Sequence, residues 1–145
     1  MKRLIILASI IFSSATFACT DFSGSYRSIE RENVITISQR GCEMLLFNGD
    51  SISFNLPIDG KFNRLSSDGR SSAFVKVQIN GEKLLIDTKL ELYVSKENIG
   101  NDFSIRTFSE ASKESDGEIL KKTTYVNKNG VVIKQEILTL ERISN

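Results

Sequence analysis

Polar and apolar side chains alternate along much of this chain, and this alternation is the feature that most constrains its fold. The clearest run covers residues 83–94, and a period of two is typical of a β-strand with one buried face. We expect one face of this strand to lie in the core, and its residues are Leu84, Ile86, Leu90 and Leu92. We expect the other face to lie in solvent, and its charged residues are Lys83, Asp87, Lys89 and Glu91.

Turn signals separate this run from similar runs on either side. Asx-Gly pairs tolerate the positive φ that tight hairpins require, and they stand at Asp59-Gly60, Asp68-Gly69, Asn80-Gly81, Asp116-Gly117 and Asn129-Gly130. We therefore expect consecutive strands to be antiparallel neighbours. The predicted strands are 25–30, 33–39, 42–48, 51–58, 61–66, 72–79, 82–94, 102–111, 118–127 and 131–143.

A meander of eight to ten strands has two exposed edges, and closing the sheet into a barrel removes them. The sequence therefore predicts an all-β, antiparallel up-and-down barrel, with a two-sheet β-sandwich as the alternative. In the last run the apolar positions change parity between Ile133 and Leu138, so we expect a β-bulge near 134–136. We expect residues 19–145 to form one domain.

Residues 1–18 have the three parts of a secretory signal peptide: a basic start, a short apolar run and small residues before the cut. We expect a periplasmic or secreted protein, in a compartment where the two cysteines can form a Cys19–Cys42 disulfide. The alternative is a lipoprotein anchored through Cys19. Loss of Lys2 and Arg3 would leave a net charge of −1, so no nucleic-acid partner is expected. The apolar runs after Phe12 are far shorter than a membrane span, so we expect no transmembrane segment.

The chemistry of the side chains argues against catalysis. The chain has no histidine, and it therefore lacks the usual general base at neutral pH and the commonest metal ligand. A carboxylate pair among the 18 acidic residues remains a third hypothesis. We predict no enzyme activity, no metal site and no cofactor. Three aromatic residues oppose the apolar face of their own strands, and these are Phe74, Tyr93 and Phe108.

The start of the first strand, Gly24-Ser25-Tyr26, resembles the Gly-x-Trp that opens the lipocalin barrel, with Tyr26 in the place of tryptophan. Arg142 is similar to the arginine that packs across that tryptophan, and Cys19 precedes Gly24 as a cysteine does in avidin-like barrels. This calycin-like resemblance implies a ligand-binding barrel. It also implies that Tyr26 and Arg142 meet at the closed end, with the guanidinium over the ring.

These observations predict a non-catalytic, exported bacterial binding protein, a monomer that holds a small apolar or amphipathic ligand. Thr88 and Thr107 would then face the lumen and add polarity to an aliphatic wall. The alternative is a protein-interaction module or inhibitor that binds an envelope protein through its outer surface, including Phe74, Tyr93 and Phe108.

Overall fold

The computed structural model describes residues 19–30, 32–49, 52–67, 70–92 and 103–143, and they form an all-β fold. The predicted signal peptide (1–18), Tyr93 and the Asp68-Gly69 turn lie outside the described residues. The strands are β1 (Gly24–Ser28), β2 (Val34–Arg40), β3 (Met44–Asn48), β4 (Ser53–Pro57), β5 (Asn63–Ser67), β6 (Ser71–Asn80), β7 (Lys83–Leu92), β8 (Phe103–Lys113), β9 (Ile119–Asn127) and β10 (Val132–Arg142). Each matches one predicted strand, with ends that differ by two residues or fewer.

All ten strands belong to one antiparallel sheet in the order β4-β3-β2-β1-β10-β9-β8-β7-β6-β5. Strand β1 pairs with β10, so the first and last strands close the meander. The two edges of the sheet, β4 and β5, follow each other along the chain and lie side by side. The sheet is therefore a nearly closed barrel, and the predicted barrel is confirmed over the sandwich.

Hairpins form at Asn80-Gly81, Asp116-Gly117 and Asn129-Gly130 as predicted. The prediction is wrong at Asp59-Gly60, because β4 and β5 on either side of this turn do not pair and form the two edges of the sheet. Gly81 and Gly117 have φ angles of 59° and 89°, which an L-residue with a side chain adopts only with strain. The β6–β7 hairpin then pairs Asn80 with Lys83, and every later pair follows from that turn without a shift. Short turns therefore fix the register of the long strands.

One face of the sheet encloses the hydrophobic core. The register places Leu84 beside Ala111, and Ile119 beside Leu140, on this inner face. Apolar side chains that alternate along paired strands bury a continuous surface. The buried core residues are Phe22, Tyr26, Ile37, Leu45, Leu56, Val75, Val77, Leu84, Ala111, Ile119 and Leu140.

Strand β7 departs from the predicted burial pattern at two charged positions. Leu84 is buried as predicted, but Asp87 and Glu91, which were expected in solvent, are also buried. Both lie on the outer face of the sheet, where Arg106 and Lys76 cover Asp87 and Lys89 forms an ion pair with Glu91. Leu92, which was expected in the core, is 36% exposed at the end of the strand.

Strand β10 contains a bulge, but it comes earlier than predicted. The register with β9 shifts between Val132 and Lys134. Leu138 and Leu140 then point inward, and Ile137 points outward with 62% exposure. The apolar residues before the bulge are not a second set of core residues, because Val131, Val132 and Ile133 are all more than half exposed.

A disulfide joins Cys19 to Cys42 in the turn between β2 and β3, as predicted. The sulfur that lipidation would modify is therefore bonded to Cys42. The bond closes a segment with a sequence separation of 23 residues and fixes the start of the described chain against the barrel.

Candidate ligand-binding lumen

The segment from residue 19 to residue 23, which we call the plug, closes one end of the barrel. The side chain of Phe22 is fully buried in the core. The backbone N–H of Phe22 donates a hydrogen bond to Gln39 Oε1 (3.1 Å), and Gln39 Nε2 donates to the carbonyl of Thr20 (3.1 Å). Gln39 lies on β2, so one side chain anchors both sides of the plug to the barrel wall.

Other contacts attach the plug to the opposite side of the same end. Thr20 Oγ1 donates to the carbonyl of Gly81 in the β6–β7 turn (2.9 Å). Lys113 Nζ, at the end of β8, donates to the carbonyl of Asp21 (2.9 Å). The plug thus spans the barrel end from the β2–β3 turn to β7 and β8, and the disulfide adds a covalent attachment.

Tyr26 and Arg142 come together at this closed end as direct partners in the β1–β10 ladder. Tyr26 is fully buried, its hydroxyl donates to the carbonyl of Phe22 (3.0 Å), and burial raises its pKa. A Cβ on Gly24 would lie 3.0 Å from the tyrosine oxygen, so glycine leaves room for the ring. Arg142 is exposed. The cation–π contacts in the described part of the chain involve Arg64, Lys76, Arg106 and Lys134, and none of them places Arg142 over the ring of Tyr26.

Beyond the core, toward the β9–β10 turn, many inward side chains are only half-buried, although Thr123 is buried. A side chain on the inner face of a barrel keeps solvent-accessible area where it lies near an opening of the barrel or beside internal space. We call this region the distal lumen. Its apolar side chains are Ile35, Phe47, Phe54, Leu65, Ile86, Leu90, Ile105 and Leu138. The inner face of the barrel is therefore more completely buried near the plug than at the other end.

Polar side chains line the distal lumen along four neighbouring strands. Thr88 lies directly opposite Thr107, and Thr107 lies opposite Tyr125. The two predicted lumen residues are thus brought together on the inner face, both half-buried. Tyr125 faces Lys134 on β10, which completes a row of four polar residues across β7, β8, β9 and β10.

A second polar row lies next to the first, one step closer to the plug. Ser109 Oγ and Thr123 Oγ1 are 2.9 Å apart, and Thr123 lies opposite Glu136. Tyr125 Oη donates to Glu136 Oε2 (2.8 Å), and Lys134 forms an ion pair with the same carboxylate. These contacts link the two rows and hold the carboxylate of Glu136, whose side chain is 17% exposed, next to the ammonium of Lys134, whose side chain is 59% exposed.

Sequence reasoning missed Ser109, Thr123, Tyr125 and Glu136 as lumen residues. The signal for Tyr125 and Thr123 was present in the Asp116-Gly117 hairpin, because residues equally distant from its turn are partners, and Ser109 has the same parity on β8 as Thr107. Applied to Thr107, that rule gives Tyr125, and applied to Ser109 it gives Thr123. Glu136 was hidden by the bulge, which breaks the alternation of β10 before this residue.

The outer face of the same strands carries a cluster of aromatic and charged side chains, which we call the outer cluster. Arg106 binds Asp87 through Nε (2.8 Å) and Nη2 (2.6 Å), and its guanidinium lies 4.5 Å from the ring of Phe108 and 5.7 Å from that of Phe62. Burial alone would raise the pKa of Asp87, but Arg106 and Lys76 outweigh this effect and lower it.

The predicted outer aromatic residues have different surroundings. Phe108 is 40% exposed and borders a surface pocket of about 410 Å³ together with Lys89, Arg106 and Lys128. Phe74 is half-buried with the guanidinium of Arg64 at 5.5 Å from its ring. Tyr93 lies outside the described residues.

Neither a metal centre nor a membrane-spanning helix occurs among the described residues. Within the described residues, no group of three or more acidic or cysteine side chains lies close enough together to bind a metal ion. No protein-family model, curated protein or solved structure matches this chain. The geometry of the barrel is therefore the basis for any functional conclusion.

Proposed function

We propose that this protein is a non-catalytic, exported bacterial binding protein whose distal lumen holds a small amphipathic ligand. The observation that carries the proposal is that the half-buried lumen has an apolar side and a polar side. Ile35, Phe47 and Phe54 give an apolar side on β2, β3 and β4. The two polar rows on β7 to β10 give the other side.

An amphipathic ligand matches both walls. Small-molecule sites are usually apolar cavities with a few placed polar groups that fix orientation. The apolar wall would bury a hydrocarbon or ring system, and the hydroxyls of Thr88, Thr107 and Tyr125 would hydrogen-bond a polar head. A ligand that lacked a polar group would displace water from the hydroxyls of Thr88 and Thr107 without replacing its hydrogen bonds, which costs free energy.

The signal peptide and the calycin-like resemblance support the same proposal. Export fits a chain whose two cysteines are paired. The lipocalin-like reading is supported by Gly24 and Tyr26 at the start of β1 and by Arg142 opposite Tyr26. Fold alone does not fix function, so the proposal depends on the side chains of the lumen.

Fluorescent-probe titration tests the proposal directly. N-phenyl-1-naphthylamine, an apolar amine whose emission rises in apolar surroundings, should bind the wild-type protein and be displaced by an amphipathic competitor. Thr107→Phe adds a ring inside the lumen and should weaken probe binding at least about tenfold, which corresponds to 1.4 kcal/mol. Glu110→Phe is the matched control, because Glu110 is exposed on the outer face of the same strand.

Equal probe binding by Thr107→Phe and wild type would contradict a lumen site. Native mass spectrometry of protein purified from its own envelope adds an independent measurement, and a retained small molecule is the expected result. An empty protein that also fails to bind the probe would remove the proposal.

The alternative, a protein-interaction module, has a specific observation in its favour. Phe62 and Phe108 are 44% and 40% exposed beside Arg106. Aromatic residues and arginine are the residue types enriched at interaction hot spots. In the native mass spectrum this function predicts a bound protein that Phe108→Ala releases, with probe binding in the lumen absent.

A further inference from the structure

The turn between β9 and β10 exposes three consecutive aliphatic side chains. Val131, Val132 and Ile133 are 58%, 53% and 59% exposed, and we call them the hairpin tip. Successive residues of an extended chain point to opposite sides, so one sheet face could not bury all three. The bulge between Val132 and Lys134 adds to this exposure, since it takes Ile133 out of the ladder.

The hairpin tip is held in a defined position. Asn127 Oδ1 accepts hydrogen bonds from the N–H groups of Asn129 (2.9 Å) and Val131 (3.0 Å). The N–H of Asn127 donates to the carbonyl of Val131 (3.0 Å). The apolar side chains are therefore presented on a closed, hydrogen-bonded turn at the distal end of the barrel.

The charge of this hairpin differs from that of the whole chain. Residues 119–135 include four lysines and no acidic residue, although the full chain has a net charge of only +1. Lys128 and Lys134 are exposed on either side of the hairpin tip, and Lys134 also forms an ion pair with Glu136, just after this segment. Aliphatic side chains flanked by lysines match a surface that is apolar inside and negatively charged outside.

We propose that the hairpin tip contacts the surface of an anionic phospholipid bilayer. A second copy of the chain fits less well, because a stable protein interface buries roughly 800 Å² on each partner, and the tip is a narrow turn. A bilayer needs no complementary shape to accept a few aliphatic side chains at its headgroup boundary.

The position of the tip gives this contact a purpose. Lys134 adjoins the tip and pairs with Tyr125, whose side chain lines the distal lumen. Contact would bring that end of the barrel to a membrane, from which an amphipathic molecule could enter. This purpose rests on the proposed lumen function, whereas the membrane contact does not.

The absence of tryptophan from the sequence permits a site-specific test. Val132→Trp places a single fluorophore at the tip, and Ile137→Trp places one on the outer wall of the same strand, where Ile137 is 62% exposed. With phosphatidylglycerol–phosphatidylcholine vesicles, we expect a blue shift of emission for Val132→Trp and none for Ile137→Trp. The shift should be weaker with phosphatidylcholine alone and in high salt.

Two further variants test the same contact through cosedimentation with these vesicles. Replacing Val131, Val132 and Ile133 with serine should abolish vesicle binding and leave probe binding in the lumen unchanged. Lys128→Ser should reduce partition onto the anionic vesicles about fivefold, the effect of one lysine near a charged surface.

Each contrary result identifies a different error. A blue shift at both tryptophans, or at neither, would overturn the assignment to the tip. A blue shift without vesicles that grows with protein concentration would assign the tip to a second copy and overturn the proposal. Vesicle binding by a protein that binds no lumen probe would support the membrane contact and remove only the proposed lumen function.

Discussion

Replacing Phe22 with alanine should destabilise the barrel more than removal of any exposed aromatic ring. Phe22 is 0% exposed, and the backbone around it is attached by Gln39 on one side and Lys113 on the other. Because these hydrogen bonds use backbone atoms, they persist in the variant and prevent the plug from collapsing into the space left by the ring. We therefore expect a loss of about 3–5 kcal/mol, as for a buried Phe→Ala substitution that leaves a cavity.

Equilibrium urea unfolding of the mature chain, followed by far-ultraviolet circular dichroism, measures this loss. Phe108→Ala is the control, because its ring is 40% exposed and stacks on Arg106. The control should lose about 1 kcal/mol, mainly the cation–π contact. Equal losses at the two positions, or a loss below about 1 kcal/mol for Phe22→Ala, would refute the role of the plug.

Two further predictions concern the charge pair and the disulfide. The lowered pKa of Asp87 means that its carboxylate stabilises the fold above the unfolded pKa of about 3.9 and that this contribution is lost as the pH falls through the folded pKa. Asp87→Asn should therefore destabilise the protein at neutral pH and much less at pH values below the folded pKa, whereas an equal effect at both would contradict this account. Cys19→Ser with Cys42→Ser should cost about 3 kcal/mol by the chain-entropy estimate; intact mass with and without reduction should show one disulfide, and a diacylglycerol increment on Cys19 would contradict it.

The order of the strands was predictable because the turns are local and specific. Asn80-Gly81 and Asp116-Gly117 each fix a hairpin, and the register on both sides follows without long-range information. The presence of a bulge in β10 was predictable, because the apolar positions of this strand change from odd to even residue numbers. Its position was not, because Val132 and Ile133 are equally apolar on either side of the shift.

The lumen could be predicted only in part. Parity placed Thr88 and Thr107 on the inner face, and the structure pairs them there. Alternation along a strand does not show which end of the strand packs in the core. Leu84 and Leu90 are both leucines at inward positions of β7, yet only Leu84 is buried. The difference comes from the plug, whose Phe22 fills one end of the barrel through contacts with residues distant in sequence.

Asp87 and Thr88 are neighbours on β7 with an unusual pattern of burial. The inward side chain of a barrel strand is usually the more buried of two neighbours, and here it is the less buried. Asp87 points outward and is only 6% exposed, whereas Thr88 points inward and is half-buried. In a barrel with a filled interior, the inward residue would be the less exposed of the two. The reversal requires a cover on the outer face. Arg106 and Lys76 provide the cover, and Thr88 stays accessible on the inner face, which is the condition that the proposed contact between its hydroxyl and an amphipathic ligand needs.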